Sequence, residues 1–357
     1  MTKKSHKILY LLIGLIICLV GIGSFFYLKI SIYQKELSRI DSKVDEVVKA
    51  LNFSLLNKRI KWVGPFPTYL QVQETLKIPF DYPLDKLPDQ IQRELRRNSL
   101  KIHGTRRENL KDRYKIVVSL GFDERITHTL EFILQKLKIA LLIDDFGYSH
   151  GKTVDFLLKE LDLPFTISII PGTPYAKSIA EEAHRNGKQV ILHLPMEPQK
   201  NFINRYRWIV LNRMSSEQIS SMVKDAIKDV PYVVGLSNHM GSLVTTQEKP
   251  MRAVLQAVKA EGLYFVDSRT VSSSIAFPLA QKMGIKSTQR QVFLDNQKDS
   301  SYIESQFQKL ISSAQKRGGA LGIAHVDPIT AEALKKILSR LEKRKIQLVY
   351  VSDILDQ

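Results

Sequence analysis

Acidic and histidine residues follow several short apolar segments of the chain, each at the point where a segment ends. They are Asp144 with Asp145, then His193, His239 and His325. Adjacent carboxylates after an apolar segment repel each other and lose hydration, and a bound cation would compensate for that cost. One carboxylate and two neutral imidazoles form a mixed oxygen and nitrogen set that suits Zn²⁺ or another first-row divalent ion. The pattern therefore predicts a metal centre with open positions for water and substrate.

The same positions would supply acid–base chemistry. The second carboxylate would remove a proton from water at the ion, and a histidine across the pocket would protonate the leaving group. Asp267 or Asp327 would hold that histidine in one tautomer. Such a set is typical of a hydrolase that cleaves an acyl bond.

Each of these residues also has a structural interpretation when it is taken alone. Asp144 and Asp145 would cap the following helix, and His193 would be a hydrogen-bonded core residue. The segment 238–242 would be a turn, and His325 would cap the last helix. Their occurrence together at the ends of apolar segments favours a shared site, for which His150 is a spare ligand candidate.

The elements that must position these residues follow a regular alternation. Apolar runs typical of strands occur at 138–143, 165–170, 188–192, 233–236, 263–266, 291–294, 320–324 and 346–351. Helical patterns lie between most of them, at 153–161, 176–186, 216–229, 250–261, 274–283, 302–317 and 330–343. Alternation with short turns predicts parallel pairing and an α/β fold. Seven or eight such units favour a closed barrel, in which the strand ends meet at one face. The spacing alone does not exclude a doubly wound sheet.

The amino-terminal segment has a pattern typical of a membrane anchor. Residues 8–28 carry no charge over 21 positions, and Lys3, Lys4 and Lys7 precede them. A helix of this length is about 31 Å long and matches the hydrocarbon core of a bilayer. A cleavable signal peptide is the alternative, but the run ends in aromatic residues rather than in small ones. The lysines predict a cytoplasmic tip, with the bulk of the chain on the extracytoplasmic side of the cytoplasmic membrane, and Cys18 is expected to be an apolar side chain of the span.

Composition and charge divide the 357 residues further. Residues 1–138 hold 25 Lys and Arg against 14 Asp and Glu, and a single cysteine excludes both an intrachain disulfide and a cysteine-cluster zinc site. Residues 31–56 predict an amphipathic helix, followed by a small α+β module in which 69–73 and 114–120 are strands, 85–97 is a helix and 126–137 is a strand or a helix. The predicted parts are the tip and anchor at 1–30, a basic module at 31–137 and a barrel at 138–357.

The basic module has two interpretations. Its cations form a solvated face, or they contact anionic lipid headgroups or an acidic wall polymer. Nucleic acid is not expected as a partner, because the module would lie outside the cytoplasm and has no aromatic-interleaved binding motif.

Several separate motifs carry a resemblance to a known family. They are Leu141-Leu142-Ile143-Asp144-Asp145-Phe146-Gly147, His193-Leu194-Pro195-Met196-Glu197-Pro198, Asn238-His239-Met240-Gly241-Ser242, Phe265-Val266-Asp267-Ser268-Arg269-Thr270 and Val292-Phe293-Leu294-Asp295. In this order they resemble the divergent polysaccharide deacetylases, a branch of the nodulation-type carbohydrate esterases. The resemblance covers about residues 138–355 and implies a distorted (β/α) barrel of about seven strands with a divalent metal, usually zinc, at the strand ends.

The resemblance also implies roles for the aspartates and for the metal-binding histidines. Deacetylases of the wider superfamily use the first aspartate of the pair as base and the second as ligand, which here are Asp144 and Asp145. His193 matches the first histidine of a His-x-x-x-His metal pair. The fourth position after it holds Glu197, so His239 is the expected replacement ligand.

The remaining expectations concern the acid and the substrate. His325 resembles the general acid, and Arg269 is a candidate for the family's usual arginine partner. Glu197, Asn238, Asp267 and Arg269 are expected to support the site or contact substrate, and Tyr206 and Trp208 could stack on a sugar ring. The implied activity is hydrolysis of the N-acetyl amide of an envelope polysaccharide or amino sugar. The alternative is a membrane-anchored protein that binds a glycan or acts as a scaffold with little or no turnover.

Overall fold

The computed structural model describes residues 3–63, 69–80, 82–83, 85–97, 100–122, 125–339 and 345–355. Within it the chain forms two compact units, Met1–Lys136 and Leu137–Gln357. The end of the helix predicted over 330–343 lies outside the described residues.

The first unit combines two helices with one sheet. Its elements are α1 (Lys3–Leu51), β1 (Ser54–Val63), β2 (Tyr69–Lys77), α2 (Leu87–Arg97), β3 (Lys101–Asn109), β4 (Arg113–Phe122) and β5 (Arg125–Gln135). The strand order is β1-β2-β5-β4-β3, with β2 and β5 parallel and the other neighbours antiparallel. Apolar residues of α1 and α2, such as Val44, Val47 and Ile91, pack with Leu130 and Phe132 in one core.

Helix α1 is continuous from the apolar run into the amphipathic segment. Its apolar part is long enough to cross a membrane and is not buried in the protein. Burial begins further along, at Leu37 and Ile40, where one face of the helix joins the core of the first unit. The two helical segments expected from the sequence are therefore a single helix.

The second unit is an α/β layer structure. Its strands are β6 (Leu137–Phe146), β7 (Thr166–Ile169), β8 (Gln189–Met196), β9 (Val233–Met240), β10 (Tyr264–Asp267), β11 (Ser287–Gln289), β12 (Val292–Phe293), β13 (Gly319–His325) and β14 (Ile346–Val349). Its helices are α3 (Lys152–Asp155), which continues as a π-helical turn, α4 (Ala176–Arg185), α5 (Ser216–Asp229), α6 (Glu248–Ala260), α7 (Ala276–Lys282), α8 (Ser300–Arg317) and α9 (Pro328–Leu338).

The parallel sheet of this unit curls into a half-barrel. Its order is β11-β10-β9-β8-β7-β6-β13-β12, with β14 also paired to β6. The strands at the two edges of the sheet, β11 and β12, are separated in sequence only by Arg290 and Gln291. The sheet therefore curves so that its two edges lie close together. This architecture confirms the predicted α/β class with a distorted barrel.

The side chains that point into the concave side of the curved sheet form two layers, an apolar layer and, nearer the carboxyl ends of the strands, a polar layer. Leu142, Ile191, Val266 and Ile323 belong to one buried cluster on β6, β8, β10 and β13. Side chains of a strand point to the same face at every second residue. The positions two residues further on are those at the carboxyl ends of the strands: Asp144, His193, Ser268 and His325.

Candidate active site

Three of the side chains singled out in the sequence lie together at the carboxyl ends of β6, β8 and β9. Oδ1 of Asp145 lies 3.3 Å from Nε2 of His193 and 3.0 Å from Nδ1 of His239. One possible ligand atom from each residue lies within 4.8 Å of the other two. The geometry therefore forms a compact Asp–His–His group.

The donor set of this group fits a divalent cation. Oδ1 of Asp145 is buried, and among the described residues its polar neighbours are the two ring nitrogens and no other hydrogen-bonding group. Burial would raise the pKa of Asp145, but the imidazoles of His193 and His239 outweigh it and hold that pKa below its usual range. Burial lowers the pKa of His193 to about 4, so this ring is neutral near pH 7. An ionised carboxylate and neutral imidazole facing one space are the ligands that zinc takes in proteins.

Asp144 is the second carboxylate of the site. It is buried on the inner face of β6, with Oδ2 3.7 Å from Nε2 of His193 and no hydrogen-bond partner for Oδ1 in the described part of the chain. Burial, and then the charge of Asp145, raise the pKa of Asp144 well above its usual range. A buried carboxyl group with a raised pKa beside a candidate metal group has the properties of a general base or acid.

Strained backbone occurs at three of the strand ends that form the site. Asp145, Met240 and Arg269 have φ angles of 68°, 55° and 46°, in a region that residues other than glycine rarely adopt. Such conformations cost about 1–3 kcal/mol each and persist where the surrounding structure imposes them. The sharp turns after β6, β9 and β10 are thus held by the rest of the unit.

His325 is paired with Asp295, which the sequence reasoning did not assign to it. Nδ1 of His325 lies 2.9 Å from Oδ1 of Asp295. Oδ2 of Asp295 accepts hydrogen bonds from the His325 backbone, Lys298 and Thr330. Burial lowers the pKa of His325, but the hydrogen bond and charge of Asp295 outweigh it, so the pKa is raised. The ring is therefore oriented with Nδ1 toward Asp295.

The two aspartates expected to hold this histidine have other contacts. Asp267 accepts hydrogen bonds from the Arg269 backbone and from the Ser274 hydroxyl, which fixes the loop after β10. Asp327 caps α9 by accepting from the backbone of residues 329 and 330. The expectation was wrong because both are capping residues of their own loops, whereas Asp295 follows β12, which pairs with β13.

Two further expected support residues hold the strand ends in place. Oε2 of Glu197 accepts from the backbone of Asn212, and the Glu197 carbonyl accepts from Leu243. Asn238 bridges β9 and β10, accepting from the Ser268 backbone and donating to the Met240 carbonyl. Glu197 is therefore a loop-holding residue and lies outside the Asp–His–His group.

Arg290, which the sequence reasoning did not single out, lies beside His325 with Phe293 between them. The Arg290 guanidinium lies 3.8 Å from the ring centroid of Phe293, which stacks on His325. It donates to the backbone carbonyls of Ser268 and Arg269, and burial lowers the pKa of Arg290 to about 10. Arg269 contributes to this arrangement through its backbone. His150, the spare ligand candidate, pairs with Glu182 at 2.7 Å instead.

Two hydroxyl groups contact the rings of His193 and His239. Ser237 lies 2.7 Å from Nδ1 of His193 and 2.7 Å from the Ser168 hydroxyl. The Tyr206 hydroxyl lies 2.9 Å from Nε2 of His239. Sequence reasoning noted Tyr206 only as an aromatic loop residue, since nothing in the spacing indicates that its loop returns to β9.

The fold and the site together define a curled (β/α) barrel protein with an Asp–His–His group and a neighbouring carboxyl group at its strand ends. Residues 141–355 match the family of divergent polysaccharide deacetylases, and the chain belongs to that family. The resemblance in the sequence motifs is thereby confirmed.

Relatives of known sequence extend over the same region. The uncharacterized protein YibQ of Escherichia coli is 35% identical over 229 residues, which are 62% of this chain and 68% of the relative. An uncharacterized protein of Haemophilus influenzae is 33% identical over 223 residues, 62% of this chain and 78% of that protein. The crystal structure of an uncharacterized protein from Agrobacterium tumefaciens has a TM-score of 0.58 at 19% identity, covering 61% of this chain and 89% of that one, and shows the same fold.

Proposed function

We propose that the protein is a metal-dependent deacetylase that hydrolyses the N-acetyl amide of an envelope polysaccharide or amino sugar. The family supports a deacetylase-like role on carbohydrate. The observation that carries the proposal is the Asp145–His193–His239 group, whose buried carboxylate oxygen faces both rings directly beside the buried carboxyl group of Asp144.

In this proposal Asp145, His193 and His239 hold the cation, most simply zinc. A bound divalent ion would supply a Lewis acid that polarises the acetyl carbonyl and lowers the pKa of nearby water. Positive charge at the Asp145–His193–His239 group would favour the ionised form of Asp144. In that form Asp144 accepts a proton from the attacking water, and the water oxygen bonds to the carbonyl carbon. The C–N bond then breaks, and His325 donates the proton that turns the leaving nitrogen into an amine. Acetate and the free amino sugar are the products.

Asp295 and Arg290 would assist this sequence from behind His325. Asp295 keeps Nδ1 protonated and leaves Nε2 to face the substrate, and it stabilises the cationic ring before it donates its proton. Arg290 supports the same ring through Phe293 and fixes the loop after β10.

We also propose a place for the enzyme in the envelope. The apolar part of α1 would be a single-pass anchor, with the short lysine-rich amino terminus in the cytoplasm and the remainder on the extracytoplasmic side. The chain would act as an anchor (1–30), a basic module (31–137) and a catalytic barrel (138–357), a division supported by the boundary at Lys136–Leu137.

Acetate release tests the proposal. Zinc-loaded protein should release acetate from N-acetylated oligosaccharides, and Asp144→Asn should lower the rate by about 10²–10⁴-fold because the proton acceptor is lost. Metal content should remain in Asp144→Asn and be lost in His193→Ala. The exposed Glu261→Gln is a matched control that should behave like the parent.

A different outcome would favour the binding function. Glu197 replaces the second histidine of the superfamily's metal motif and holds a loop instead, so the metal set is rearranged. Glycan affinity without acetate release, unchanged by Asp144→Asn, would support a membrane-anchored glycan-binding or scaffolding protein and overturn the deacetylase.

A further inference from the structure

The ring of His239 is held from both of its nitrogen atoms. Nδ1 lies 3.0 Å from Oδ1 of Asp145, and Nε2 lies 2.9 Å from the Tyr206 hydroxyl. A neutral imidazole carries one proton on one nitrogen, and the other nitrogen keeps the lone pair that binds a metal. The partner of Nε2 therefore decides whether Nδ1 is able to face a cation.

Tyr206 reaches this position on a loop that is fixed at several points. The loop leaves β8 at Glu197, whose side chain accepts from the Asn212 backbone, and its backbone at Tyr206 donates to the Asn204 side chain. The next aromatic residue, Trp208, packs over Gly172, where an added Cβ would lie 3.2 Å from the indole ring. The Tyr206 hydroxyl also hydrogen-bonds to Tyr148, on the loop after β6.

The other metal-facing ring has the opposite orientation. His193 contacts the Ser237 hydroxyl through Nδ1 and presents Nε2 to Asp145. If Tyr206 donated to Nε2 of His239, the proton on Nδ1 would point toward Asp145 and exclude a cation. A cation between Asp145 and His239 needs the lone pair of Nδ1, so the ring proton then lies on Nε2 and points toward Tyr206.

We propose that Tyr206 is a positioning residue of the metal centre, whose hydroxyl accepts the Nε2 proton of His239 and so leaves Nδ1 free for the cation. This inference rests on the proposed metal site and deepens it. The hydrogen of the Tyr206 hydroxyl is then available to Tyr148. Hydrogen-bond partners of this kind orient metal-binding histidines, and their removal weakens metal binding by about 10–100-fold.

The test compares metal binding by the full chain and its variants in detergent. Zn²⁺ affinity is measured by competition with a chromogenic chelator, and the Co²⁺ absorption spectrum reports the ligand geometry. Tyr206→Phe should weaken Zn²⁺ binding by about 10–100-fold and alter the Co²⁺ spectrum. Tyr232→Phe, which removes the hydroxyl of an exposed tyrosine stacked on His184 and outside the site, should stay close to the parent. Tyr206→Leu should weaken binding at least as much as Tyr206→Phe.

The failures of the two proposals are distinguishable. A parent protein that binds Zn²⁺, with the same affinity and Co²⁺ spectrum in Tyr206→Phe, would overturn the role of Tyr206 and leave the metal site intact. A parent that binds no Zn²⁺ would overturn the metal site and this role together. Thermal unfolding of the metal-free proteins should be the same for parent and Tyr206→Phe, so that a loss of affinity reports the site and not the fold.

Discussion

The pair of His325 and Asp295 illustrates how single residues set the chemistry of the site. Asp295 is buried, yet its carboxylate accepts from a histidine ring, a backbone amide, a lysine and a threonine. Burial alone would raise the pKa of Asp295, but these donors, His325 first, lower it below its usual range. The aspartate therefore stays ionised and favours a protonated His325, which is the form that a general acid needs.

Asp295→Asn should move the alkaline limb of the pH–rate profile to lower pH. The pKa of His325 in the folded protein lies above the ordinary 6.5, so the acid form persists above pH 6.5 and is lost as the pH rises through the raised value. Removing the charge of Asp295 lowers that pKa. The measurement is kcat/KM for acetate release against pH, with Asp327→Asn as the control that leaves the limb in place. A limb that does not move in Asp295→Asn would contradict the role of the pair.

At the residue scale the sequence was informative where a candidate side chain follows a short apolar run at the end of a strand. Asp145, His193 and His239 were selected by that rule, and the structure brings them together. Asp295 follows the apolar run 291–294 by the same rule, but Asp267 and Asp327 satisfied the rule equally well, and only the pairing of β12 with β13 shows which aspartate contacts His325. Tyr206 lies in a long loop, and only the three-dimensional course of the loop brings it to His239.

At the scale of elements, close packing between neighbouring strands shapes the barrel. Gly235 on β9 lies opposite Tyr264 on β10, and an added Cβ would lie 2.5 Å from the tyrosine ring. The ring is buried and its hydroxyl donates to Gln189 on β8. The ring therefore has little freedom to move away from the glycine.

Gly235→Ala should destabilise the second unit by about 1–3 kcal/mol, because the methyl group overpacks a strand contact that cannot relax. The midpoint of urea unfolding measures this effect. Gly151→Ala is the control, since nothing lies within 4 Å of a Cβ built at that position. Equal midpoints for Gly235→Ala and the parent would show that the contact is not close in solution.

Strands and helices were predictable from the sequence where the local hydrophobic pattern agrees with the strand pairing in the fold. Each apolar run predicted as a strand in 138–357 overlaps a strand of the sheet. The short β11, with the sequence Ser-Thr-Gln, has no apolar run and was missed, as were β1 and β3, which are rich in charged residues. The ambiguous segment after residue 125 is the strand β5, because it pairs with β2 and β4, which are long-range contacts invisible in its own sequence.

For the whole molecule, the feature that bears on membrane attachment is the exposed apolar surface of α1. Leucine and isoleucine side chains between residues 11 and 28 are 44–75% exposed, which is too large a contiguous apolar surface for contact with water. The excess of positive charge in residues 1–138 would add attraction to anionic headgroups. Salt screens the attraction between lysine or arginine and lipid headgroups, whereas it does not weaken membrane insertion of α1.

The full chain should sediment with membranes and remain there after washes with high salt and alkaline carbonate, since a spanning helix is held by apolar burial and not by charge. A chain lacking residues 1–30 should be released by high salt. Immunoblots of the pellet and supernatant give the result. Release of the full chain by salt alone would contradict the anchor.

The central claim is that one cation binds between Asp145, His193 and His239. Metal analysis together with anomalous diffraction at the zinc edge tests it most directly. We expect roughly one zinc per chain, with the anomalous peak between these three side chains, and its loss in His193→Ala and His239→Ala but not in Glu182→Gln. A zinc-loaded crystal with no peak there, or with its peak at the separate groups of His150, Asp155 and Glu182 or Asp41, Asp45 and Glu74, would contradict the account.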